Sequence, residues 1–167
     1  IRWARYQHTV ATDEELHDWF SAEPEAGIGI VCGRVSRLMV LDFDDASEAS
    51  EFRHLFPDLI HTLVVRSGTR GLPHFYFRLP MGKVVPTAAY GRVDVRGEGS
   101  YVVAPPTRIG SMAWTVEYDA PIRKVTEYDL RRIMGFVISR KVVESRPFEP
   151  ATLTIQREAS EFRHIMS

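Results

Sequence analysis

The sequence predicts an α+β domain in which a largely antiparallel sheet is backed by helices. Short runs rich in β-branched and aromatic residues, separated by Gly and Pro, recur between residues 27 and 117, which is typical of a sheet of short strands. Stretches with helical apolar spacing flank these runs and interrupt them once. Because helices do not alternate regularly with strands, an antiparallel sheet is favoured over a parallel one.

Three helices are expected. Thr12-Asp-Glu-Glu15 forms a capping box ahead of a helix over residues 13–21. A second helix over residues 46–56 ends before Pro57 and is expected to face the core with Phe52, Leu55 and Phe56. The third, over residues 126–143, has apolar residues spaced i, i+3, i+4, i+7 and i+8: Leu130, Ile133, Met134, Val137 and Ile138.

Seven strands are expected, with Ser67-Gly-Thr-Arg-Gly71 as a loop between two of them. They lie at residues 27–33, 38–43, 63–66, 74–79, 92–96, 101–104 and 112–117. The organisation predicted from these elements is a core at residues 1–120, a helix packing on or following it at 121–145, and a connector or C-terminal element at 146–167.

Composition narrows the class of protein. A length of 167 residues suits one domain, and the single cysteine excludes an internal disulfide framework and a Cys-rich zinc site. No apolar run approaches the ~20 residues of a membrane span and no signal peptide is visible, so a cytoplasmic protein that does not bind membranes is the default expectation. Because the chain begins at Ile1, we expect a piece of a longer protein.

Charge is distributed unevenly along the chain. Residues 1–59 contain 5 Lys/Arg and 12 Asp/Glu, whereas residues 60–167 contain 16 Lys/Arg and 10 Asp/Glu. Such a chain suits both an acidic metal site and a surface for a polyanion, although scattered solvated charge would give the same count.

Charged residues fall on one face of three predicted strands. Side chains alternate faces along a strand, so Asp42 and Asp44 share a face. His74 and, on a third strand, Asp94 and Arg96 occupy the polar faces of their own strands. If these strands lie in one sheet, the five side chains converge.

Three converging aspartates are suited to a divalent cation. Carboxylate oxygens are the preferred ligands of Mg²⁺ and Mn²⁺, and burying three like charges without a cation is costly. The plain alternative is a solvated strand end. Asp45 fits another role, as the N-cap of the helix that follows it.

The loop from Ser67 to His74 has the composition of a phosphate-binding site. Gly68 and Gly71 allow backbone N–H groups to approach a ligand, and Arg66, Arg70 and His74 supply cations or donors. An ordinary glycine turn with a structural histidine is the alternative.

In order and spacing, these stretches resemble the catalytic domain of the bifunctional DNA primase/polymerases, in the archaeo-eukaryotic primase superfamily. The resemblance runs from Trp3 to about Tyr118. Its motifs are Trp3-Ala-Arg-Tyr-Gln7, Gly27-Ile-Gly-Ile, Leu38-Met-Val-Leu-Asp-Phe-Asp44, Ser67-Gly-Thr-Arg-Gly71 with His74-Phe-Tyr-Phe, and Asp94-Val-Arg-Gly through Gly99-Ser-Tyr-Val-Val-Ala-Pro-Pro-Thr.

The resemblance implies an RRM-like sheet, two divalent ions (Mg²⁺ or Mn²⁺) held by Asp42, Asp44 and Asp94, and contact of His74 with the phosphates of the incoming nucleotide. From composition we add Arg66, Ser67, Arg70 and Arg96 as nucleotide-binding candidates. Leu72-Pro73 before His74, and Thr107 where the family commonly has Ser, depart from its pattern.

The predicted function is therefore priming and primer extension by template-directed, two-metal transfer from (d)NTPs in DNA replication. A hydroxyl attacks the α-phosphate, and pyrophosphate leaves. The partners would be template–primer DNA, nucleoside triphosphates and a fused or associated helicase, in a prokaryotic, viral or mobile-element context, with the isolated domain a monomer. Candidate DNA contacts are Arg92, Arg108, Arg123, Lys124, Arg131, Arg132 and Lys141.

Two other functions remain open from the residues alone. A two-metal nuclease would use the same aspartates but would need no triphosphate site. A replication module that binds nucleic acid without catalysis would retain salt-dependent DNA binding after loss of Asp42.

Overall fold

A computed structural model describes residues 3–141 of the chain. After a short 3₁₀ helix at Trp3–Gln7, the helices are α1 (Asp13–Ala22), α2 (Ala46–Leu55) and α3 (Glu127–Lys141). The strands are β1 (Ile28–Val31), β2 (Leu38–Phe43), β3 (Val64–Arg66), β4 (Pro73–Arg78), β5 (Ala88–Tyr90), β6 (Val93–Arg96), β7 (Tyr101–Ala104), β8 (Arg108–Ile109), β9 (Met112–Ala113), β10 (Thr115–Tyr118) and β11 (Arg123–Lys124).

The central sheet has the strand order β10-β3-β4-β2-β6-β5, with every neighbour on this path antiparallel. Strand β11 pairs in parallel with the C-terminal end of β4. Two small ribbons, β1–β7 and β8–β9, complete the strands. The expected α+β class with a largely antiparallel sheet is confirmed. Strands β5, β8 and β11 were not predicted, because two- and three-residue strands are too short to show an alternating pattern.

One face of the central sheet packs against helices α2 and α3 and forms the main core. Alternate residues of β2, β4 and β6 supply it, among them Phe43, Phe75 and Val95, each at most 1% exposed. Phe52 of α2 is fully buried against Phe43 and Phe75, with ring centroids 5.6 and 5.2 Å apart. This face holds the domain together through apolar burial.

The opposite face is covered only in part. Val40 and Tyr76 form a second buried cluster with Leu38 and Val65 of the same sheet, with Trp114, and with Cys32 and Val102 of the β1–β7 ribbon and its flank. Thr107, the departure from the family pattern, is buried, and its Oγ1 accepts a hydrogen bond from the N–H of Ile28 at 2.8 Å. The hydroxyl thus ties the start of β1 to the chain just after β7.

Two predicted core positions are wrong. Leu55 is 48% exposed and Ile138 is 50% exposed, while Phe136, which was not predicted, is buried. At about 100° per residue, Leu55 lies about 60° from Phe52 on the side away from Ala49 and Phe56. Ile138 lies about 140° from the fully buried Ile133 by the same rotation.

None of the helices within residues 3–141 is long and apolar enough to cross a membrane. The predicted extension of the last helix to residue 143 and the connector at 146–167 lie outside the described residues.

Candidate active site

Strand β2 brings the predicted acidic residues and His74 together. It lies between β4 and β6, so Asp42 is the direct cross-strand partner of both His74 and Asp94. Directly paired residues point to the same face of a sheet. Arg96 lies two residues after Asp94 on that face, and Asp44 follows the end of β2, where its N–H donates to the carbonyl of Arg92 at 2.9 Å. The predicted convergence of these five side chains is therefore observed.

The two carboxylate oxygens of Asp42 are both hydrogen-bonded to basic groups. Oδ1 lies 3.0 Å from His74 Nε2, and Oδ2 accepts from Nε and Nη2 of Arg96 at 3.1 and 3.0 Å. Burial alone would raise the pKa of Asp42. The charges and hydrogen bonds of His74 and Arg96 outweigh that effect and lower the pKa to about 2, so Asp42 is an anchored carboxylate.

Asp44 and Asp94 are less fully compensated. Asp94 Oδ2 lies 2.9 Å from Nη2 of Arg96, and Asp44 pairs with Arg70. Burial raises the pKa of Asp94 to about 6; Arg96 opposes the shift, and the negative charges of Asp42 and Asp44 add to it. The pKa of Asp44 is raised by burial and then by Asp42. The site thus carries more negative charge than its arginines neutralise.

The carboxylates of Asp42, Asp44 and Asp94 are chemically suited to bind a divalent cation. Their side chains are not arranged around a metal position in the described residues. Within residues 3–141, no group of three or more His, Cys, Asp or Glu side chains is arranged to hold a metal ion. The carboxylate oxygens instead face Arg70, Arg96 and His74. Burial is the main cause of the raised pKa values of Asp44 and Asp94, the neighbouring carboxylates add to it, and a bound cation would lower both pKa values.

The glycine loop holds Arg70 beside Asp44. It closes through hydrogen bonds of 2.9 Å from Ser67 N to Leu72 O and from Gly71 N to Ser67 O. Gly71 has φ +68°, a left-handed conformation that favours glycine. At Gly68, a Cβ atom would lie 2.7 Å from the ring of Trp114. Trp114 therefore packs against the loop at Gly68. Its place in a predicted strand did not indicate this contact.

His74 has one ring nitrogen in use and one without a partner. Its side chain is 8% exposed, and while Nε2 faces Asp42, Nδ1 is buried with no hydrogen-bond partner in the described structure. A buried polar atom without a partner is costly. Nδ1 is thus a hydrogen-bonding atom that the described part of the chain leaves unsatisfied.

Arg66 is not brought to the same face as the aspartates. It pairs with Pro73 in the sheet, and the adjacent pair, Val65 and His74, points to the opposite face. Its guanidinium donates to the carbonyl of Gly71 at 2.7 Å and lies 3.1 Å from Glu117. In this arrangement Arg66 braces the glycine loop from the other side of the sheet.

Asp45 caps α2, as expected. Its Oδ1 accepts hydrogen bonds from the N–H groups of Ser47 and Glu48 at 2.8 and 3.2 Å, and its Oδ2 lies 2.6 Å from Arg92. Arg92, a candidate DNA contact, therefore lies at the same end of the sheet as the aspartates.

The remaining predicted DNA contacts are dispersed. Arg123 pairs with Phe77 and so faces the helix side of the sheet, and Arg132 makes two hydrogen bonds to Asp58, at 2.7 and 3.0 Å. Arg108 lies on the β8–β9 ribbon, Arg131 lies on α3, and Lys124 pairs with Arg78. The side chain of Lys141 lies outside the described residues.

The chain matches the model of a known protein family. The model of the family described as bifunctional DNA primase/polymerase, N-terminal, matches residues 1–128. That span includes the three aspartates, the glycine loop, His74 and Arg96. A search of curated proteins found no match. Because the family model covers most of the sequence, the chain belongs to the bifunctional DNA primase/polymerase family.

Proposed function

We propose that this domain catalyses template-directed nucleotidyl transfer, extending or starting a DNA primer from nucleoside triphosphates. The observation that carries the proposal is the position of Asp42, which lies directly between His74 and Asp94 in the sheet. Asp42 thereby joins the acidic cluster to His74, and Asp44 joins it to Arg70 of the glycine loop.

In this proposal Asp42, Asp44 and Asp94 hold Mg²⁺ or Mn²⁺. Bound divalent ions lower the pKa of an attacking hydroxyl and stabilise the negative charge of the triphosphate and the leaving pyrophosphate. Asp42 is already oriented by His74 and Arg96. Asp44 and Asp94 have the raised pKa values that a cation would lower again.

The basic groups of the site bind the nucleotide. The triphosphate would accept hydrogen bonds from Arg70, whose guanidinium is exposed to solvent on one side, and from Nδ1 of His74, which lacks a partner. Ser67 shapes the loop, since its Oγ accepts from the N–H of Arg70 at 3.4 Å. Arg96 keeps Asp42 and Asp94 together while the site is without cations. Arg66 acts on the nucleotide through the loop that it braces.

The test is extension of a labelled primer on a DNA template with Mn²⁺ or Mg²⁺ and either dNTPs or NTPs. Wild type is expected to lengthen the primer. Asp42→Ala/Asp44→Ala is expected to be slower by at least ~100-fold, because several kcal/mol of transition-state charge stabilisation are lost. Glu48→Ala/Glu51→Ala is the matched control, since it also removes two carboxylates, which pair with Arg140 on the helix side.

Shortening of the primer by wild type would overturn the proposal in favour of a nuclease. DNA binding by both proteins with no change in primer length would favour a binding module. His74→Ala separates the enzyme hypotheses further, because only a polymerase needs this side chain for nucleotide affinity, measured with a fluorescent triphosphate.

A further inference from the structure

A second cluster of charge lies at the other end of β4 from His74. Arg78 is the last residue of β4, and its direct partner on β11 is Lys124. Arg37 lies next to them, because its guanidinium donates to the carbonyl of Leu79 at 2.9 Å and its own carbonyl accepts from the N–H of Leu79 at 2.7 Å. We call Arg37, Arg78 and Lys124 the distal basic cluster.

The distal basic cluster is not neutralised by acids of the described chain. Over residues 3–141, none of its three side chains makes a salt bridge. At the His74 end, by contrast, the guanidinium groups of Arg70, Arg92 and Arg96 all pair with aspartates. Like charges placed directly opposite each other on neighbouring strands destabilise a sheet. An anionic partner would remove this repulsion.

Arg78 and Lys124 of this cluster lie on the same face of the sheet as the aspartates. Side chains alternate along β4, so Arg78 points to the side of His74 and Tyr76, and Lys124, its partner, points the same way. Arg78 follows His74 by four positions along β4, and at 3.3 Å per position their backbones are about 13 Å apart. The covered cluster around Tyr76 lies between the two ends.

This separation matches the backbone of a nucleic acid. Successive phosphates on one strand of a duplex advance by about 3.4 Å along its axis, so a duplex whose axis runs parallel to β4 covers about 13 Å in roughly four nucleotides. A strand that ends at Asp42 and Asp94 and passes over the outer side of the covered cluster would place an upstream phosphate near Arg78. Arg and Lys side chains that contact phosphates contribute affinity without reading sequence.

We propose that Arg37, Arg78 and Lys124 bind the phosphate backbone of the template–primer about four nucleotides from the reacting end. The proposal rests on the proposed function for its orientation, since the reacting end is placed at the aspartates. Sequence patterns suggested Lys124 alone, because Arg37 and Arg78 lie far from it in the chain and are joined to it only by the pairing of β4 with β11.

The test is the salt dependence of binding to a fluorescent template–primer, followed by anisotropy between 50 and 200 mM salt. Arg78→Ala/Lys124→Ala is expected to reduce the slope of log K against log [salt] by about 1.8, or about 0.9 for each lost phosphate contact. Arg5→Ala/Lys83→Ala is the matched control. It also removes two positive charges, but these cations already pair with Glu15 and Glu127, and its slope is expected to equal that of wild type.

Equal slopes for wild type, control and Arg78→Ala/Lys124→Ala would overturn the proposal. Lys124→Glu provides a second variant in case the double variant unfolds, because Lys124 is exposed and its reversal is expected to weaken binding alone. Primer extension separates this proposal from the proposed function. A reduced slope with no extension by wild type would support the basic cluster and reject the polymerase, whereas extension with unchanged slopes would reject the cluster alone.

Discussion

The two faces of the central sheet use the same strands for different purposes. In β6, Val93 and Val95 are fully buried against the helices, while Asp94 and Arg96, between and after them, are partly exposed on the other face. In β4, Phe75 and Phe77 of the helix-side face alternate with His74 and Tyr76 of the other face, and all four residues are buried. The main core thus lies on one face, while the other face carries, beside a smaller buried cluster, charges that would be costly in a core.

The largest expected effect comes from the helix-side face. Phe52→Ala removes a side chain that is fully buried and contacts the rings of Phe43, Phe75 and Phe136. We expect the free energy of unfolding to fall by about 3–5 kcal/mol, because the aromatic contacts are lost and a cavity remains. Urea denaturation followed by circular dichroism measures the change.

The neighbouring exposed residue Leu55 is the control for this prediction. It lies on the same helix but is 48% exposed, so Leu55→Ala is expected to cost much less than Phe52→Ala. A similar loss for both variants would contradict the division of roles between the faces.

Asp94 on the charged face is expected to show the opposite behaviour, because its ionised side chain costs stability. The pKa of Asp94 is about 6 in the folded protein, above its ordinary value of 3.8. The folded state therefore binds this proton more tightly, and the resulting stability is fully present below pH 3.8 and is lost as the pH rises through about 6.

Asp94→Asn removes this pH dependence, since an amide does not titrate. Relative to wild type, the variant is expected to gain about 2–3 kcal/mol in unfolding free energy between pH 4 and pH 7, at 1.36 kcal/mol for each unit of pKa shift. Urea denaturation at both pH values in the presence of a chelator measures it. A difference between the two proteins that does not change with pH would show that Asp94 titrates normally.

Much of the difference between the two faces of the sheet was predictable from the sequence, because successive side chains of a strand alternate between the faces. The side chains of Asp42, His74, Asp94 and Arg96 were assigned to their faces from alternation alone, and the strand pairing confirms that they share one face. The strand order was not predictable, because short antiparallel strands carry no mark of their neighbours. The family resemblance supplied the expectation that these strands adjoin.

Other features depended on packing that alternation does not describe. Leu55 and Ile138 have helical spacing but lie at the margins of the buried faces. The salt bridge of Arg70, the hydrogen bond from Arg66 to the Gly71 carbonyl and the contact between Gly68 and Trp114 depend on the fold of the loop. Lys124 lies beside Arg78 and Arg37 only because β11 pairs with the end of β4, past the residues of β4 that pair with β3.

Gly68→Ala is expected to have the smallest effect on stability. The added Cβ would lie 2.7 Å from the ring of Trp114 and 3.0 Å from the N–H nitrogen of Ala113, so the loop or the ring must shift. Overpacking of this kind costs about 1–3 kcal/mol. Because the loop carries Arg70, the affinity for a fluorescent nucleoside triphosphate is expected to fall as well.

Gly71→Ala is the matched control for the Gly68 contact. At Gly71 an added Cβ meets no atom within 4 Å, but φ is +68°, so this variant strains the backbone of the same loop without pressing on Trp114. If Trp114 sets the position of Arg70, Gly68→Ala is expected to weaken nucleotide binding more than Gly71→Ala at an equal loss of stability. Equal weakening by both would mean that the loop positions Arg70 through its own turn, and that the apolar cluster beneath it contributes to stability alone.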